Sequence, residues 1–143
     1  MKKQIIMSVA ILTVLVFAGS YFFSKKNPKL AEIGGHKFKL ELAVNGKERE
    51  RGLGGRESLC RDCAMLFVFP QEGAYSFWMK DMRFNLDIIW VSDGKIVQLA
   101  KNVDHGSLAT ITPKKPANLV LEINAGLSDE YGLKEDDRVN FSY

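Results

Sequence analysis

The chain has 143 residues, 46% of them hydrophobic and 26% charged, a balance that excludes disordered, collagenous and disulfide-packed chains. That length suits one domain. Its net charge of +3 is unevenly spread: residues 1–29 hold five lysines and no acid, whereas residues 30–143 hold fifteen Lys and Arg against seventeen Asp and Glu. The basic character belongs to the N-terminal segment, and the remainder carries no electrostatic footprint for nucleic acid.

Residues 4–24 contain no charged side chain, and 5–23 are apolar apart from Ser8, Thr13, Gly19 and Ser20. Twenty-one helical residues span roughly 30 Å, the thickness of a bilayer's hydrocarbon core. Lys2 and Lys3 precede the run, and Lys25, Lys26 and Lys29 follow it. Residues 1–24 are therefore predicted to be an N-terminal membrane anchor, a single transmembrane helix with the lipid bilayer as partner through residues 4–24. A cleaved signal segment is the alternative, with Ala18-Gly19-Ser20 as its small-residue site, although Tyr21-Phe22-Phe23 carry the apolar run past that point. A very short tail before a first span usually stays inside. The expected location is the cell membrane, single-pass, with the globular domain extracytoplasmic; secretion after signal cleavage is the alternative.

Residues 25–35 read as a linker, opened by Asn27-Pro28, because proline and the residue before it resist helix. From 36 to 44 the pattern alternates, with Phe38, Leu40, Leu42 and Val44 on one face, which predicts a half-buried strand. Asn45 can cap a short helix over 46–53, broken by Gly52, Gly54 and Gly55. The continuous apolar run 64–69, ending at Pro70, reads as a strand buried on both faces. Strands are predicted at 75–80 and 86–91. Ser92-Asp93-Gly94 then marks a hairpin into a strand at 95–100. A long loop follows over 101–117, then a strand at 118–124, a helical turn at 128–131 and a final strand at 138–141. Seven short strands with one or two short helices, and no strand–helix alternation, predict a mainly β domain over 36–143. Its expected form is a compact antiparallel barrel or sandwich.

Leu66-Phe67-Val68-Phe69-Pro70, Phe77-Trp78-Met79-Lys80 and Leu86-Asp87-Ile88-Ile89 together resemble the prokaryotic family called domain of unknown function 192. Arg51-Gly52-Leu53 with Arg56, and Val120-Leu121-Glu122 with Ala125-Gly126, match two further blocks of that family. The resemblance covers roughly residues 36–143 and implies a small β-rich fold, often exported or membrane-tethered. It implies no reaction. Three positions depart from the family pattern: Ala64-Met65 stands where Gly-Met is usual, Asp81-Met82 where Asn-Thr is usual, and Asp136 where a turn glycine is usual. Asp tolerates left-handed backbone better than most residues, so the last turn is expected to survive.

Chemistry-bearing residues are few. Cys60-Arg61-Asp62-Cys63 has the spacing of a thiol redox motif but runs into a strand instead of a helix. A zinc site would need two more ligands, and His36 and His105 are the only histidines. A local disulfide bracing a loop is the alternative, and no metal or cofactor is expected. Asp87 and Glu122 are carboxylates within apolar strands. Strand parity puts Asp87 on the face of Ile89 and Val91, where it would be buried and held by a basic partner such as Arg51 or Arg56. As a pair, Asp87 and Glu122 could serve as general acid and base, with Arg51 or Lys80 assisting. Trp78, opposite in parity to Phe77 and beside Lys80, is the candidate ligand-binding aromatic; Phe77 itself reads as core.

Three functions are weighed. The first is a membrane-tethered, non-catalytic binding or accessory module at the cell envelope, with a carbohydrate or protein ligand. The second is an envelope enzyme using Asp87 and Glu122. The third is a thiol redox or metal role for Cys60 and Cys63.

Overall fold

A computed structural model describes residues 27–142. The anchor predicted over residues 1–24 lies outside the described residues, and among those described no helix is long and apolar enough to cross a membrane. Seven strands form one sheet: β1 (Leu30–Ile33), β2 (His36–Ala43), β3 (Cys63–Gly73), β4 (Leu86–Ser92), β5 (Lys95–Val103), β6 (Ala117–Asn124) and β7 (Val139–Ser142). Two short helices interrupt them, α1 (Gly46–Arg51) and α2 (Leu127–Glu130). The protein is mainly β, a seven-stranded half-barrel.

The strand order is β5-β4-β6-β3-β2-β1-β7. Five of the six pairings are antiparallel, but β2 and β3 run parallel, Lys39 against Cys63 through Ala43 against Phe67. The sheet is thus mainly antiparallel, as expected, with that one parallel pair. A parallel pair cannot be joined by a tight turn, so residues 44–62 cross from one end of the sheet to the other and carry α1 on the way. The sheet curls until its edges meet: Lys95 bridges Arg138, and Ile96 N–H donates to the Asp137 carbonyl at 2.9 Å.

Curling gives two cores. The concave face holds Phe38, Leu66, Ile89, Val91, Leu121 and Ile123, closed at one end by Leu127 and Leu133. The convex face holds Met65, Phe67, Leu86, Ile88, Trp90 and Val120, covered by Leu53, Phe77 and Met79 from the loops. Alternation along β4 and β6 sends successive side chains to the two faces, which is why β4 is buried from Leu86 to Val91.

Two assignments shift. The segment 75–80 alternates as expected, with Phe77 and Met79 buried and Trp78 and Lys80 exposed. It is not a sheet strand, however, but a strap lying on the convex face, held by reciprocal Phe77–Ile111 backbone bonds of 2.9 and 2.8 Å. Phe77 docks edge-on against Phe67 and Trp90, at centroid distances of 4.9 and 5.8 Å. The seventh strand is instead β1, inside the stretch expected to be linker. It turns into β2 through Gly34 and Gly35, whose φ values of 58° and 79° suit a two-residue hairpin. β3 also continues past Pro70 to Gly73, where a register shift between Val68 and Gly73 accommodates the missing N–H.

Candidate functional site

The crossover 44–62 and the strap 75–82 meet over the convex face. Asn45 begins α1 with a capping box: its side chain accepts from Glu48 N–H at 3.0 Å, and the Glu48 carboxylate accepts from Asn45 N–H at 3.3 Å. Gly52, at φ 48°, then turns the chain over the sheet. A Cβ there would press on Phe67 at 3.2 Å and come within 3.9 Å of Glu122 Oε2. Gly55 N–H donates to the Asp81 carbonyl at 2.8 Å and ties the glycine turn to the strap. Between them lies an open cleft of about 660 Å³, walled by Glu50, Arg51, Gly54, Trp78, Lys80 and Asp81. Trp78 is 56% exposed at its mouth, and Lys80 Nζ stands 5.3 Å from the indole centroid, within cation–π range.

Beneath the cleft, sharing Arg51, Trp78 and Lys80 as walls, is a narrow recess of about 40 Å³ that reaches Glu122. Glu122 sits on β6 between Met65 and Ile88, in the apolar layer, and is only 5% exposed. Its Oε2 has no hydrogen-bond partner. Burial alone pushes its carboxyl up to about 8, so near neutral pH it is largely a protonated acid, able to donate and accept.

Four of the sequence-predicted candidates therefore converge: Glu122, Arg51, Lys80 and Trp78. Asp87 does not join them. It lies on the concave face with Ile89 and Val91, fully buried, while its neighbour Ile88 pairs with Glu122 on the other face. The acid–base pair of Asp87 and Glu122 thus has no common side of the sheet on which to act. Nor does a basic residue hold Asp87. Its Oδ1 accepts from Asn102 N–H at 2.7 Å and Gly126 N–H at 3.2 Å, and its Oδ2 from Ser128 N–H at 2.8 Å. Arg56 instead makes a bidentate pair with Glu41 at 2.8 and 2.7 Å, and that guanidinium holds the Glu41 carboxyl below its ordinary range. Arg83 pairs with Glu57.

Cys60 and Cys63 are joined by a disulfide, Cα to Cα 5.1 Å, at the entry to β3. The Asn124 amide reinforces that loop by donating to the Leu59 and Cys60 carbonyls at 3.0 and 3.1 Å. Among the described residues no three His, Cys, Asp or Glu side chains gather as a metal site. His36 stacks on Tyr131 at a centroid distance of 3.5 Å, and His105 bonds Asn85, so neither approaches the cysteines' loop as a ligand. Sequence reasoning missed the cleft's own wall: Gly54, Gly55 and Asp81. Three glycines within 52–55 were the available signal; they read as a helix stop and, not following a strand in the required way, not as a phosphate loop.

Fold and site together define a small, curled β protein with a polar cleft roofed by a crossover loop and an aromatic strap. The chain belongs to the DUF192 family (Uncharacterized ACR), whose profile matches residues 29–141. Among curated proteins none matches the chain. Similar solved structures include the following two. A protein of unknown function from Novosphingobium aromaticivorans is 30% identical with a TM-score of 0.76, covering 83% of this chain and 89% of that chain. One from Sinorhizobium meliloti, described as a candidate transcription regulator, is 33% identical with a TM-score of 0.73, covering 78% and 90% respectively.

Proposed function

We propose that this protein is a membrane-tethered, non-catalytic binding module of the cell envelope, and that the cleft between residues 50–55 and 78–83 is its ligand site, for a carbohydrate or protein ligand. The observation that carries the reading is Trp78, a large aromatic left 56% exposed at the mouth of a cleft of about 660 Å³. Pockets of this size with a few convergent polar groups are the usual form of ligand sites, and an exposed indole beside a cation supplies a stacking platform. The enzyme reading loses its pair, because Asp87 lies on the opposite face of the sheet from Glu122. The Sinorhizobium relative's description would extend to DNA contact by this chain only on electrostatic grounds. Such contact would require a basic surface, and residues 30–143 hold more acids than bases.

The test uses the full chain in lipid nanodiscs, titrated with envelope-derived oligosaccharides and peptides while tryptophan emission is followed. Trp90 is buried, so a ligand in the cleft is expected to change the Trp78 component. Trp78→Ala is expected to remove that change and weaken binding at least tenfold. Ligand binding that is indifferent to Trp78→Ala would move the site elsewhere and sink the reading.

A further inference from the structure

Resting on that ligand-site reading, we infer that the cleft takes a neutral saccharide: a sugar ring lies on the Trp78 indole, and one of its hydroxyls enters the recess above Glu122. Charge balance is the first argument. The cleft is lined by Glu50, Arg51, Lys80, Asp81 and Arg83. Arg83 is engaged by Glu57, which leaves two cations and two anions, none of them in an ion pair among the described residues. Several basic side chains elsewhere in the fold are ion-paired, among them Arg56 with Glu41, Arg61 with Glu130, Lys101 with Asp129 and Lys115 with Glu135. An anionic ligand would meet Glu50 and Asp81, and a cationic one Arg51 and Lys80. A hydroxyl group both donates and accepts, so a ring rich in hydroxyls can use all four without repulsion.

The second argument is size. A recess of about 40 Å³ has room for a group the size of one or two waters, such as a hydroxyl, and none for a long or aromatic side chain. Glu122 lines that recess and its buried Oε2 has no partner, so a hydroxyl that reached it would satisfy it. Burial favours the protonated form, and a carboxylic acid, like a hydroxyl, offers both a donor and an acceptor. The third argument is the platform: the exposed Trp78 face presents an apolar plane to the C–H side of a sugar ring while the ring's edge faces the polar rim.

The experiment titrates the full chain in nanodiscs, free of glycosidic detergent, with four probes: cellotriose, N-acetylated (triacetyl) chitotriose, trigalacturonate and the glucosamine trimer. Calorimetry and tryptophan emission give affinity, and saturation transfer to sugar ring protons gives contact. A neutral trisaccharide is expected to bind at least tenfold more tightly than either charged one. Trp78→Ala should lose at least tenfold of that affinity. Glu122→Leu should lose a similar factor while raising the melting temperature, a split that a purely structural Glu122 would not give. Glu122→Gln, which keeps a donor and an acceptor, should bind within a few-fold of the parent. Tighter binding of trigalacturonate or the glucosamine trimer overturns the neutral-ligand inference. If an envelope peptide binds through Trp78 and no sugar does, the saccharide falls and the binding module stands. If nothing perturbs Trp78, both fall.

Discussion

Asp87 and Glu122 look alike in the sequence, each a carboxylate between apolar neighbours, yet the fold gives them opposite tasks. Asp87 serves three backbone donors at once, which an acceptor-only carboxylate does well. Asp87→Asn would turn an amide N–H₂ toward some of those donors and leave a buried N–H unpaired. The expected loss is about 1–3 kcal/mol in urea denaturation. Adding Arg51→Gln should recover none of it, whereas an ion pair would show partial recovery. Glu122 has the reverse character, a buried acid with an unpartnered oxygen. Its carboxyl stands at about 8 in the fold against an ordinary 4.5. Between those values the folded chain keeps a proton that the unfolded chain releases, so stability falls as pH rises through the window and levels off above it. Arg49, Glu50, Arg51 and Lys80 face the same recess, and the Arg49 guanidinium is held by the Val44 and Val68 carbonyls at 2.7 and 2.9 Å. Glu122→Gln should match the parent near pH 5 and exceed it increasingly toward pH 8, read by denaturation at each pH. A parallel pair of profiles would show that Glu122 is ionised in the fold. Parity in the sequence placed Asp87 on the face of Ile89 and Val91 correctly. Its partners were illegible because they are backbone groups of distant segments, which leave no mark in side-chain chemistry.

At the scale of elements, legibility followed hydrogen bonding. The helix capped by Asn45, the hairpin at Asp93-Gly94 and strands β4 to β6 were readable because local patterns determine them. The strap 75–80 kept its alternation but not its assignment, since a buried-exposed rhythm is equally compatible with lying in a sheet or across one. β1 was overlooked for its four-residue length, although Gly34-Gly35 between two short alternating runs is a hairpin signal. Two of the three family departures resolve here as backbone requirements. Asp81 and Asp136 both adopt left-handed conformations, φ 59° and 70°, where Asn, Asp or Gly fit best. The disulfide belongs to this scale too. Cys60 and Cys63 close a very short loop, and Asn124 secures that loop independently. A Cys60→Ser, Cys63→Ser double variant should therefore fold and lose at most about 2 kcal/mol by chemical denaturation. Failure to fold would make the bridge indispensable to the crossover.

For the whole molecule, tether and domain are expected to separate cleanly. Full-length protein should sediment with membranes and resist extraction by salt or carbonate, because an apolar run of residues 4–24 is long enough to span a bilayer. A variant lacking residues 2–24 should appear in the soluble fraction. Recovery of a mature form beginning near Tyr21 would instead favour signal cleavage. Site and barrel also divide the labour of the chain. The concave core and the edge closure at Lys95 and Arg138 hold the sheet's curvature. The cleft is built from the crossover and the strap laid over the convex face, so substitutions at Arg51, Trp78 or Lys80 should alter binding with little effect on folding.

The pairing of β1 with β7 sets an order in time. Leu30 lies against Ser142 and Ile33 against Val139, so the partner of β1 follows it by about a hundred residues of chain. The β1–β2 and β4–β5 hairpins can form as soon as they leave the ribosome, each across a two-residue turn. The outer edge of β1 must wait for nearly the entire domain to be made, and closing so long a loop is slow. During that wait an unpaired row of N–H and C=O groups is on offer to neighbouring chains. Translation that stops short of Val139 therefore releases a sheet with that edge open and without the strand meant to cover it, a template for aggregation in place of a smaller working domain.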